Sequence, residues 1–156
     1  LMLNFVPDKR KALMEMKRVA RAGATLGFYV WDYPGQGVEF MRAFWDAAAA
    51  LDSVALELAE DKRFSFCTPD GLGELMSRAV LLRVDCNPIE IPTVFTDFED
   101  YWRPFTLGAG PAPGYCASLD PEARERLKAQ LRNSLPRRED GSIPLKARAW
   151  AIKAIA

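Results

Sequence analysis

Apolar and polar positions change their period several times along this chain, and each change marks an element. Between residues 8 and 21, Leu13, Met16 and Ala20 form an apolar stripe among charged neighbours, the spacing of an amphipathic helix. Pro7 and Asp8 suit its first turn, Lys17, Arg18 and Arg21 its basic last turn, and Gly23 its stop. Thr25 to Trp31 then runs apolar with little alternation, which predicts a strand covered on both faces and a parallel sheet to host it. The opening Leu1 to Val6 has the same character and reads as the tail end of a second, parallel strand, so that a strand-helix-strand unit begins the chain.

Further on, Met41, Phe44, Trp45 and Ala48 predict a helix extending towards Leu58, and Thr68-Pro69 caps another that carries Leu72, Leu75, Met76 and Ala79. Val84 to Phe95 is strand-like, but Pro88 and Pro92 remove ladder donors and confine it to an edge. Asp97 to Phe105 reads as a short aromatic helix, and Gly108 to Gly114 as a loop. Asp120-Pro121 opens a helix with Ala123, Leu127, Leu131 and Leu135, closed by Pro136. After the Asp140-Gly141 turn, Leu145 to Ile152 alternates small and large residues, as in a strand with two unlike faces.

Composition narrows the function classes. The 156 residues are 49% hydrophobic and 27% charged, which fits one globular domain over 1–156 and excludes a disordered or fibrous chain. Twenty-one basic residues balance 21 acidic ones, so no global field draws the chain to nucleic acid or to an anionic membrane. No apolar run is long enough for a bilayer span, and neither a membrane segment nor a signal peptide is expected. With no histidine, the chain alone excludes Ser-His-Asp, Cys-His and His-ligated metal mechanisms. Cys67, Cys86 and Cys116 show no CxxC spacing, which suits reduced thiols in a cytoplasmic protein and no metal site.

Phe5, Trp31 and Tyr33 fall at the carboxyl ends of the two expected strands, where ligands of open α/β sheets bind, and Asp32 between them would orient a polar group. The same rings serve equally as caps on the core. Tyr101, Trp102 and Phe105 would form a lid over that crevice or the packing face of an inserted helix. Gly108-Ala109-Gly110 neither follows a buried strand nor opens into a helix, so it makes a poor phosphate cradle, and Lys9-Arg10-Lys11 reads as a solvated face.

The stretch LNFVPDKRKALMEMKRVARAGATLGFYVWDY, followed by MRAFWDAAAALD, FEDYWRPF, GPAPGY and DGSIPLKARAWA, resembles the distal half of class I S-adenosylmethionine-dependent methyltransferases, in their type 11 or ubiquinone-biosynthesis-like branch. The resemblance covers nearly the whole chain. Ala22 and Ala24 depart from its R-P-G-G-type turn, and Ala79-Val80 stands where an Ala-Gly pair is common. It implies an α/β fold: a truncated Rossmann-like methyltransferase with two parallel strands, an antiparallel pair whose last strand inserts between its neighbours, and about five helices. The cofactor would be S-adenosylmethionine. Its glycine-rich loop and ribose-binding carboxylate would precede Leu1, about 90 residues of fold being expected there. Leu1, Met2, Leu3 and Asn4 would lie beside the cofactor's methionine part, while Phe5, Trp31, Asp32, Tyr33, Trp102 and Tyr115 would face a small-molecule acceptor; the resemblance assigns no catalytic residue. A chain so cut would expose a strand edge and pair with a second copy through residues 1–31. The alternative is a non-catalytic remnant that serves as an oligomerising or binding module.

Overall fold

A computed structural model describes residues 2–108 and 110–156. Eight α-helices and three strands are found among them: α1 (Lys9–Val19), β1 (Thr25–Trp31), α2 (Glu39–Leu51), α3 (Ala55–Leu58), α4 (Glu60–Arg63), α5 (Pro69–Arg78), β2 (Leu82–Phe95), α6 (Phe98–Trp102), α7 (Pro111–Ser118), α8 (Pro121–Ser134) and β3 (Ile143–Ile155). The strands form one sheet in the order β1-β3-β2, with β1 antiparallel to β3 from Thr25↔Ile155 to Trp31↔Ala149. The last strand therefore lies between its neighbours, as the resemblance implies, and the proline-bearing β2 is an edge, as its prolines imply.

The expected pair of parallel strands is not found among the described residues. Met2–Phe5 forms a 3₁₀ turn closed by Val6 N–H donating to the Leu3 carbonyl at 3.3 Å, and it buries Leu3 and Asn4. Pro7 follows at once, so this short segment gains more from tucking two side chains inward than from extending without a partner strand. The strand β1 is also not covered on both faces: Thr25, Gly27 and Tyr29 are exposed while Leu26, Phe28 and Val30 turn towards the core. That alternation is the mark of a one-sided antiparallel strand.

Helix starts follow their capping residues. The carboxylates of Asp8, Asp97 and Asp120 accept from the backbone N–H groups of Lys11, Asp100 and Ala123 at 2.7 to 2.8 Å, and the Thr68 hydroxyl accepts from Gly71 at 3.1 Å. The expected long helix to Leu58 breaks instead at Asp52, whose side chain accepts from Val54 N–H at 3.0 Å and turns the chain into α3. Helix α7 begins at Pro111, inside the expected loop, with Gly110 in a left-handed conformation at φ 94° just before it; Ala109 of that loop lies outside the described residues. No helix among the described residues is long and apolar enough to cross a membrane.

The chain divides into two compact units, each with its own core. The first comprises Leu1–Gly37, Phe64–Glu90 and Arg148–Ala156; Leu13, Val30, Leu72, Met76 and Ile152 fill its centre, where α1 packs on α5. The second comprises Val38–Arg63 and Ile91–Ala147, and its core is aromatic. There Phe44 of α2 is fully buried and stacks on Phe105 with centroids 4.4 Å apart, while Tyr101 donates its hydroxyl to the Phe40 carbonyl at 2.9 Å. Burial pushes the Tyr101 phenol far above its usual range.

Candidate functional site

At the carboxyl end of β1 the chain turns through Tyr33 to Gly37, and this turn is built around one carboxylate. Asp32 is 1% exposed. Its Oδ1 accepts from Gly35 N–H at 3.0 Å, and its Oδ2 accepts from Nε and Nη2 of Arg148 on β3, both at 2.6 Å. Arg148 also donates to the Gly35 carbonyl at 3.1 Å, so the guanidinium ties the turn to the central strand. Gly35 and Gly37 are small because they must be. A Cβ at Gly35 would overlap the Asp32 carboxylate, and one at Gly37 would stand 2.8 Å from its Oδ2. Both oxygens of Asp32, the residue expected to orient a polar group, are engaged within the protein.

Beside this turn, side chains from three segments of the first unit meet. The rings of Phe5 and Tyr33 lie 5.6 and 5.5 Å from the ring of Phe64, the former edge-on. Phe5 is exposed and Phe64 buried, so the group has an open side. Nearby, buried Asn4 donates its Nδ2 to the sulfur of fully buried Cys67 at 3.5 Å, while its Oδ1 is buried with no partner among the described residues. An orphaned amide oxygen costs about 1–3 kcal/mol, and such atoms mark places where a ligand or water completes the structure.

The Cys67 thiol is pushed up to about 12 by burial, against a smaller opposing effect of the Asn4 hydrogen bond. Fully buried, it serves as a packing group in this fold. Cys67, Cys86 and Cys116 are all unpaired, as their spacing suggests. Cys86 is the least buried of them. Iodoacetamide at about pH 8 is expected to modify Cys86 first and to reach Cys67 and Cys116 only on unfolding, which peptide mass spectrometry checks directly.

The structure brings together only part of the residue set that the sequence singles out. Asn4, Phe5 and Tyr33 meet; Met2 is exposed, Leu3 belongs to the core, and Leu1 lies outside the described residues. Trp31 is half-buried on the face of β1 that carries Gly27 and Tyr29. Trp102 and Tyr115 are in the second unit: Trp102 is buried in its core, and Tyr115 packs against Phe44 and Trp45. Sequence reasoning did not tie Phe64, Cys67 or Arg148 to this site, since nothing in their spacing links them to partners far earlier in the chain.

The second unit holds one further buried acid. Glu60 is 3% exposed and accepts a hydrogen bond from the indole N–H of Trp45. Burial raises its carboxyl above the ordinary range, more than the Trp45 bond lowers it.

No protein-family model matches the sequence, and no curated protein does. Among solved structures, the chain is similar to a Bacillus halodurans protein presumed to be a methyltransferase, at 11% identity and a TM-score of 0.47. That alignment covers 99% of this chain and 66% of the other, so the chain spans just under two thirds of its neighbour's length.

Proposed function

We propose that the chain is the distal portion of an S-adenosylmethionine-dependent methyltransferase and that its first unit supplies the acceptor side of the reaction. The observation that carries this reading is the strand order: the last strand lies antiparallel between β1 and β2, the arrangement that the sequence resemblance implies. Asn4, Phe5, Tyr33 and Phe64 gather at the carboxyl end of β1, which is where open α/β sheets receive ligands.

The residues present fit one side of such a site. Asn4 Oδ1 is a buried acceptor without a partner, suited to a donor on the methionine part of the cofactor or on the substrate. Phe5, Phe64 and Tyr33 offer an apolar wall that excludes water from a reacting centre. S-adenosylmethionine, when bound, supplies a methyl group on a sulfonium, and its in-line transfer asks for positioning above all. A chain with no histidine is compatible with that demand.

Calorimetric titration with S-adenosylhomocysteine tests the reading. Micromolar binding by a longer chain that carries the glycine-rich strand-loop-helix before Leu1, weakened about tenfold by Asn4→Ala, is the expected result. Silence from this chain, and equally from a longer one carrying a glycine-rich strand-loop-helix before Leu1, would refute it and favour a non-catalytic binding module.

A further inference from the structure

We propose, resting on the methyltransferase reading, that Lys9 is an anion-recognising residue of the site beside β1 and that it takes a carboxylate on the methyl acceptor. The substrate class this names is an aromatic carboxylic acid.

The basic run Lys9-Arg10-Lys11 is not uniformly the solvated face that its sequence suggests. Arg10 and Lys11 are exposed, but Lys9 is half-buried. Arg10 donates its Nε to the Arg78 carbonyl at the end of α5. The Lys9 ammonium instead stands 4.9 Å from the centre of the Phe66 ring and donates to the Val6 carbonyl at 3.2 Å. A ring face and a carbonyl thus fix its place, and N–H donors remain for another partner. No carboxylate of the described residues lies within ion-pair distance of it.

The turn that holds Lys9 also builds the rest of the site. Cys67 N–H donates to the Phe64 carbonyl at 2.9 Å and Thr68 N–H to the Phe66 carbonyl at 2.8 Å, which closes residues 64–68 into a tight turn. Phe64 of this turn meets Phe5 and Tyr33, Cys67 accepts from Asn4, and Phe66 lies under Lys9. Asn4, Phe5 and Lys9 are therefore held against the same short segment, with the ammonium in one cluster with the aromatic wall.

The charge of this cluster is unbalanced. Lys9 and Asp32 both act electrostatically on the Cys67 sulfur, but Asp32 is already paired with Arg148. A partly desolvated ammonium without a counter-charge favours an anion, and the rings of Phe5, Phe64 and Tyr33 favour a flat apolar body attached to it. S-adenosylmethionine has a carboxylate too, yet it carries an ammonium and a sulfonium with it, like charges that Lys9 opposes. An acid acceptor brings the negative charge without them.

Chemical-shift titration of the longer chain that carries a glycine-rich strand-loop-helix before Leu1, saturated with S-adenosylhomocysteine, tests this with phenylacetate and its neutral isostere phenylacetamide. Phenylacetate should bind at least about tenfold more tightly and move the signals of Asn4, Phe66 and Cys67. Lys9→Met keeps the apolar stem and should abolish the difference, with the S-adenosylhomocysteine affinity and the thermal midpoint unchanged. Lys9→Arg keeps the charge and should restore part of the preference. Equal binding of the two probes, or a preference that Lys9→Met retains, overturns the proposal. So does a Lys9→Met chain that loses S-adenosylhomocysteine affinity while its probe preference stays, since Lys9 then serves the cofactor's carboxylate. If S-adenosylhomocysteine itself does not bind, the methyltransferase reading fails and the acceptor falls with it; if it binds and the probes do not differ, only the role of Lys9 fails.

Discussion

Replacing Arg148 by alanine is expected to destabilise the first unit by about 3 kcal/mol in urea unfolding, because it strands the Asp32 carboxylate without a counter-charge. The cost falls at the lower end for buried pairs. Arg148 is itself a third exposed, so water can enter the vacated space. Arg148→Lys keeps the charge but loses the fork that holds Asp32 Oδ2 and the Gly35 carbonyl together, and should lie between the two. The decisive comparison is the double variant Asp32→Asn with Arg148→Met, which removes both charges. It should be more stable than Arg148→Ala alone; if it is not, the ion pair is not what holds the turn.

Phe44→Ala should cost about 3–5 kcal/mol, the largest loss expected of any single change in the second unit. Phe44 is fully buried, stacks on Phe105 and meets Trp45 and Tyr115 edge-on, so its removal opens a cavity walled by rings that cannot easily collapse. Hydrogen exchange gives the sharper test. Protection should fall in α2, α7 and α8, which pack together around this ring, and Phe44→Leu should restore part of it.

The helices were the most legible part of the sequence, because their signals are local. The 3.6-residue stripe of Leu13 and Met16, the Thr68-Pro69 start and the Asp120 cap each act within a turn or two of chain. The edge position of β2 was legible for the same reason, since a proline lacks its donor wherever it sits. Strand direction was not: the apolar run of β1 looks alike whether its neighbour is parallel and buried or antiparallel and 120 residues later. The site shows the same divide. Asn4, Phe5 and Tyr33 stand at strand or turn ends that the sequence marks, whereas their partners Cys67 and Phe64, and the Asp32 partner Arg148, are set by tertiary register.

The central place of β3 also bears on how the protein is made. Synthesis delivers β1 and β2 long before Ile143–Ile155, yet neither can bond to the central strand until that segment leaves the ribosome. Helical pieces such as the α1 and α5 pair can gather early, while the sheet waits for the last strand of the order. During that interval the uncharged β1 segment lacks the partner that β3 provides, the condition in which apolar strands find wrong partners. A ribosome-bound chain stalled before residue 143 should therefore engage chaperones more strongly than the released protein does.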